Sequence, residues 1–160
     1  TERILGEAGY HRYEISNYAK PGRECRHNIG YWTGIEYLGL GLGASSYIQG
    51  FRFHNESDLS CYDKIRMNGT DADEKLHQEI TRLSDKEKME EFMFLGLRMI
   101  KGVSGSEFFQ RFGQNMWNVY GNVLNKLKDE GLIIVEMPDV RLSDYGIDVS
   151  NYVLSEFLLD

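Results

Sequence analysis

Beyond Ser84 the apolar residues of this chain recur three and four positions apart, and this change of period constrains the fold more than any other feature. "SDKEKMEEFMFLGLRMIKG" (84–102) opens with Ser84 and Glu87 as a capping box and stops at Gly102. It places Met89, Phe92, Met93, Gly96 and Ile100 on one face. "SGSEFFQRFG" (104–113) predicts a second, short helix. "NMWNVYGNVLNKLKDEG" (115–131) predicts a third, with Met116, Tyr120, Val123 and Leu127 on one stripe. "LIIVEMPDVRLS" reads as two strands around Pro138–Asp139, and "DVSNYVLSEFLLD" as a closing helix. Helix, helix, helix, strand, turn, strand is the order of a winged-helix domain.

The preceding residues have a different texture, with nine glycines by position 50. "TERILGEAGY" reads as the last turns of a helix entering a strand. With Thr at its first position, it suggests a chain cut from something longer. "YHRYEISNYA" is strand-like, and Pro21–Gly22 breaks it. "EYLGLGLGA" alternates Leu38, Leu40 and Leu42 with Gly39, Gly41 and Gly43, which predicts a strand with leucines on one face and bare backbone on the other. A hairpin turning at Gln49–Gly50 follows, then a helix over 58–69 capped by Asp58. The polar run "NGTDADEK" (68–75) is the expected boundary, giving domains 1–70 and 71–160 of an α+β protein.

Charge narrows the function. Residues 1–70 hold eight basic and eight acidic side chains, whereas 71–160 hold ten and seventeen. The third helix of the winged-helix pattern carries only Lys126 and Lys128, followed at once by Asp129 and Glu130, so a nucleic-acid partner is not expected. "GLGLGAS" lacks the G-x-G-x-x-G spacing between strand and helix that a dinucleotide loop needs. The longest apolar run, "LIIV" (132–135), is too short to span a membrane. Two cysteines, Cys25 and Cys61, make no disulfide framework and fit a reducing, cytoplasmic setting.

"RECRHNIGYW" (23–32) is the densest chemistry in the chain. His11, His54 and His77 are scattered and read as ordinary surface or core residues. Cys25 and His27 are too few for a structural zinc site. His27 differs in its company. A neutral imidazole is a good axial ligand for haem iron, Tyr31 and Trp32 can pack against a macrocycle, and Arg23 and Arg26 can meet propionates. The same string can equally open a helix capped by Asn28, with its aromatics in a core. Residue chemistry leaves both readings open.

"YEISNYAKPGRECRHNIGYWTGIEYLGLGLGASSYIQGFRFHN", together with "EFMFLGLRMIKGVS" and "RLSDYGIDVSNYVLSEFL", resembles the oxygen-independent coproporphyrinogen III oxidase family of radical S-adenosylmethionine proteins, and most closely its HemW haem-chaperone branch. His27, Asn28, Tyr31 and Trp32 stand as the H-N-x-x-Y-W motif of that branch. The resemblance implies that 1–70 are the last elements of a partial (β/α) barrel with a bridging hairpin, followed by a helical, winged-helix-like domain. It implies a haem site at His27 (iron), Asn28, Tyr31 and Trp32, and S-adenosylmethionine near Ala19 and Tyr47. It also implies a [4Fe–4S] cluster in the full-length protein. The cluster motif C-x-x-x-C-x-x-C is absent from these residues, so no catalytic residue is expected among them. Further implied is delivery of haem to a respiratory protein at the membrane; separately, a sheet edge left unpaired by missing barrel strands predicts aggregation or homodimerisation. The alternatives are the oxidase itself and a non-catalytic docking module.

Overall fold

The computed structural model describes residues 1–68 and 75–159, the side chains of 66–68 excepted. It divides into two compact units. One joins residues 1–34 to 85–160, and the other comprises 35–84. This division differs from the expected 1–70 and 71–160, whose boundary at 68–75 falls largely outside the described residues. Its physical reason is a β-type junction: Glu14 pairs antiparallel with Met99, Ile15 N–H donates to Arg98 O at 3.0 Å, and Ile100 N–H donates to Tyr13 O at 3.2 Å.

The first unit begins with α1 (Glu2–Glu7), then the two-residue strands β1 (His11–Arg12) and β2 (Tyr18–Ala19), antiparallel to each other, then α2 (Arg26–Trp32). In the second unit, β3 (Ser45–Ile48), β4 (Phe51–Asn55) and β5 (His77–Arg82) form an antiparallel sheet in that order. Gln49 and Gly50 both hold positive φ at the predicted hairpin turn. Helix α3 (Leu59–Asn68) follows, and Asp58 Oδ1 accepts from Cys61 N–H at 2.8 Å as the expected cap.

The leucine–glycine run is not a strand. Within it only Tyr37 pairs, across to Tyr47, and Leu38, Leu40 and Leu42 are 58%, 83% and 44% exposed. The chain is held there by its backbone. Asn55 Nδ2 donates to Gly39 O (3.2 Å) and Gly41 O (2.8 Å), and Ser46 Oγ accepts from Gly39 N–H at 3.0 Å. A Cβ at position 39 would lie 2.2 Å from Ser45 O, so only glycine fits this approach.

The first unit resumes with α4 (Asp85–Gly96), α5 (Gly105–Phe112), α6 (Met116–Asp129) and the hairpin β6 (Ile133–Glu136)–β7 (Asp139–Leu142), closed by α7 (Asp144–Asp148) and α8 (Ser150–Ser155). A bridge between Val103 and Val140 adds a third strand position to that hairpin, and the order is the predicted winged-helix one. Asn115 caps α6 through Trp117 N–H (2.8 Å), and Gly113 ends α5 in the left-handed conformation. Helix α4 stops at Gly96 rather than Gly102. A Cβ on Gly96 would meet Val103 at 2.4 Å, and the residues after it leave the helix to pair with 13–15. The core of this part is apolar and aromatic. Phe108 is wholly buried, with ring centroids of Phe112, Phe92 and Tyr120 at 4.8, 5.4 and 6.1 Å.

Candidate functional site

Helix α2 carries the whole of "RHNIGYW". Cys25, in extended conformation, precedes it, and Ile29 N–H donates to Cys25 O at 3.0 Å. Asn28 therefore lies inside the first turn and is not the cap. The cap position is Cys25, which contributes no side-chain hydrogen bond. At the other end Thr33 Oγ1 donates to Ile29 O at 2.8 Å, and the Thr33 carbonyl accepts from both Nη atoms of Arg111 on α5 at 3.2 Å.

A helix turns about 100° per residue, so positions 27 and 31 share a face and position 32 turns away from it. His27 and Tyr31 meet edge to face, centroids 4.7 Å apart and planes at 77°. His27 is exposed, and among the described residues its ring nitrogens meet no hydrogen-bond partner. The other histidines are engaged. His11 Nε2 lies 2.9 Å from Glu24, His54 Nδ1 2.8 Å from Asn55 O, and the His77 ring 4.4 Å from that of Phe53. Glu24 is held below the usual carboxylate range, first by backbone N–H groups and then by His11.

Trp32 points the other way, with Ile29, against a small core of Tyr13, Ala19 and Met99. The Arg98 guanidinium lies 4.2 Å from its ring centroid. Arg98 Nη2 is 3.8 Å from Oε2 of Glu14, a fully buried carboxylate whose Oε1 accepts from Ser16 N–H at 2.8 Å. Among the described residues, Trp32 Nε1, Arg98 Nε and Glu14 Oε2 have no hydrogen-bond partner. This Glu14–Arg98–Trp32 stack escaped sequence reasoning. Its signal was a charge inside each of two apolar runs, "YEIS" and "GLRMI".

Ala19 is buried in the same small core, whereas Tyr47 belongs to the other unit. There the Tyr47 ring lies 6.4 Å from Tyr37 and carries the Arg52 guanidinium at 5.6 Å. Arg23 and Arg26 are exposed and both precede His27 in sequence.

The donor set suits an iron porphyrin on chemical grounds: one exposed imidazole, an adjacent phenol ring and two guanidiniums within five residues. It does not suit an iron–sulfur cluster, because the 160 residues contain only Cys25 and Cys61, both exposed and free, where three thiolates are needed. Among the described residues no helix is long and apolar enough to cross a membrane.

Residues 83–149 match the model of the HemN C-terminal domain. The chain is 36% identical over 157 residues to the heme chaperone HemW of Lactococcus lactis, covering 98% of this chain and 40% of that protein. It is 37% identical to the heme chaperone HemW of Bacillus subtilis over 94% of this chain and 38% of that one. A mitochondrial radical S-adenosyl methionine domain-containing protein 1 of Danio rerio is 28% identical across 99% of this chain and 37% of its own length. The chain thus spans about two fifths of the length of these curated relatives. Among solved structures, coproporphyrinogen III oxidase (HemN) from Escherichia coli, a radical SAM enzyme, superposes with a TM-score of 0.74 at 16% identity, covering 98% of this chain and 38% of that one. That likeness supports the α+β fold.

Proposed function

We propose, from the premise that this chain belongs to the HemW-type branch of the coproporphyrinogen III oxidase-like radical S-adenosylmethionine family, that its role is to hold haem for delivery to a haem-accepting protein. His27 is the axial ligand to the iron, Tyr31 packs beside the porphyrin, and Arg23 and Arg26 face its propionates. Asn28 fixes the first turn of α2. Trp32 serves by anchoring the helix, because one of its faces already carries Arg98. The observation that carries this reading is the exposed His27 imidazole, edge-on to Tyr31 and free of polar partners among the described residues. An imidazole used structurally would have a polar partner, as those of His11 and His54 do.

An exposed ligand also suits cargo that must leave. A deep pocket buries most of its ligand, whereas one imidazole on a short helix gives a site that opens without rearranging a core. The acceptor is then a respiratory haem protein reached from the cytoplasm, and the thiolates for the cluster belong to parts of the relatives' length that this chain does not span. Ala19 and Tyr47 stay assigned to S-adenosylmethionine by resemblance alone. The oxidase reading rests on the match to the HemN C-terminal domain and on fold likeness, and the H-N-x-x-Y-W motif weighs against it.

The test is a haemin titration followed in the Soret band, comparing the protein with His27→Ala. A band shift that weakens by about tenfold or more in affinity on substitution supports axial ligation. Binding indifferent to His27 would return the motif to core packing and put the oxidase first.

A further inference from the structure

We infer that Arg98, held by the buried Glu14, is a positioning residue that fixes the rotation of α2 through Trp32 and so determines where His27 points. The inference deepens the haem-holding reading and concerns residues that the motif itself does not contain.

The Glu14–Arg98 arrangement is poor as a stability device. Glu14 is fully buried, yet its Oε2 has no hydrogen bond among the described residues, and its pairing with Arg98 is long, at 3.8 Å. A buried charge pair contributes to stability only with close geometry and satisfied lone pairs, and apolar residues of the same volume commonly do as well or better. Arg98 also forgoes the two-pronged carboxylate contact that its planar fork favours. Instead the guanidinium carbon lies over the Trp32 indole, 4.2 Å from its ring centroid. The pair is therefore arranged around the tryptophan.

Trp32 in turn sets the phase of α2. Five residues separate it from His27, which at 3.6 residues per turn places the two side chains roughly 140° apart around the axis. With Trp32 clamped inward between Arg98 and the Tyr13–Ala19–Met99 core, His27 and Tyr31 must face out. A seven-residue helix has little stability of its own, so tertiary contacts hold its orientation. The clamp is rigidly mounted. Glu14 and Arg98 flank the junction at which 13–15 pair with 98–100, and Arg98 leaves directly from the end of α4. The segment matching the HemN C-terminal domain thus contributes the residue that orients the candidate ligand.

The experiment uses three readouts on the protein carrying Trp117→Phe, which leaves Trp32 as the lone indole: Trp32 emission, amide hydrogen exchange of α2, and haemin affinity. Arg98→Met keeps the length and removes the stacked cation. It is expected to shift Trp32 emission, to speed exchange at residues 29–33 by about tenfold, and to weaken haemin binding by a similar factor. Arg98→Lys restores a cation but not the plane, so it falls between. Glu14→Gln, which retains shape and loosens Arg98, gives a smaller change in the same direction and serves if Arg98→Met fails to fold. Unchanged exchange in α2 with Arg98→Met or Glu14→Gln folded overturns the inference. So does a loosened α2 whose haemin affinity is unaltered while His27→Ala abolishes binding. A loosened α2 in a protein that never binds haemin upholds the clamp and rejects the haem reading.

Discussion

The two compact units of this molecule solve the same problem by opposite means. In the helical part of the first unit, Met93, Leu97, Phe108, Leu124 and Phe157 are fully buried and form one continuous apolar core. In the second, the buried side chains among the described residues are Ser46, Asn55 and Leu83, while Leu38, Leu40, Leu59 and Ile80 stand exposed. One unit is held by side-chain burial and the other by its backbone ladder and a polar hub at Asn55. The difference teaches where substitutions will matter. Side-chain volume governs the first unit, and hydrogen-bond partners govern the glycine-rich segment of the second.

The sharpest way to break that comparison is Phe108→Ala. Removing a ring that touches Phe92, Phe112 and Tyr120 leaves a cavity in a close-packed core. A loss of about 3–5 kcal/mol in denaturant unfolding is expected. A loss below about 1 kcal/mol would mean that the aromatic cluster collapses to fill the gap, contrary to its dense packing. In the second unit the matching substitution is polar. Asn55→Ala deprives the Gly39 and Gly41 carbonyls of their donor and is expected to cost about 2 kcal/mol. Its effect should appear as faster amide exchange around residues 39–47, with the helical core unchanged. Equal loosening in both units would deny that they are separate.

What the sequence made legible follows the same division. Caps and turns that rest on one residue's local chemistry were readable: the Asp58 cap and the Gln49–Gly50 turn act as expected. The winged-helix order was readable because helical periodicity reports burial directly. The leucine–glycine run misled because alternation implies a strand only when a partner strand exists. Here Gly41 and Gly43 hold positive φ, and Asn55, more than ten residues away, takes the carbonyls a ladder would have used. Asn28 misled for a similar reason, since the helix starts three residues earlier than a cap at 28 requires. His27 was legible from its neighbours in sequence, but the side chains that orient it were not. Glu14 and Arg98 are 84 positions apart and meet only through the junction at 13–15 and 98–100.

Tyr120 sharpens the account of the helical core at smaller amplitude. Its hydroxyl is buried without a hydrogen-bond partner among the described residues, and burial first, then the nearby Glu90 charge, raises its pKa well above the ordinary value of 10.0. The folded state therefore keeps the phenol proton that the unfolded chain releases. Stability is fully present below pH 10 and declines as pH rises from there toward the folded-state pKa. Tyr120→Phe removes the titration, so the variant should lose less stability than the parent between about pH 9 and pH 11. At neutral pH the change is expected within about 1 kcal/mol, because an unpaired hydroxyl is removed with its desolvation penalty. An alkaline decline equally steep in both proteins would assign it to other groups.

Leu40→Ser has the smallest expected effect and bears most directly on the contrast between the units. Leu40 is 83% exposed, and the carbonyls on either side of it, at Gly39 and Gly41, are fixed by Asn55. If the segment's conformation is set by its backbone, replacing this side chain should alter unfolding stability by no more than about 0.5 kcal/mol. Hydrogen exchange at 39–47 should stay as it is, in contrast to Asn55→Ala. A loss above about 1 kcal/mol would show that the leucine is covered in solution and that the second unit, like the first, depends on apolar burial. The two substitutions form a pair within one short segment. A large effect at Asn55 with none at Leu40 identifies the polar hub as what holds the glycine run, and the reverse order would transfer that role to the leucines.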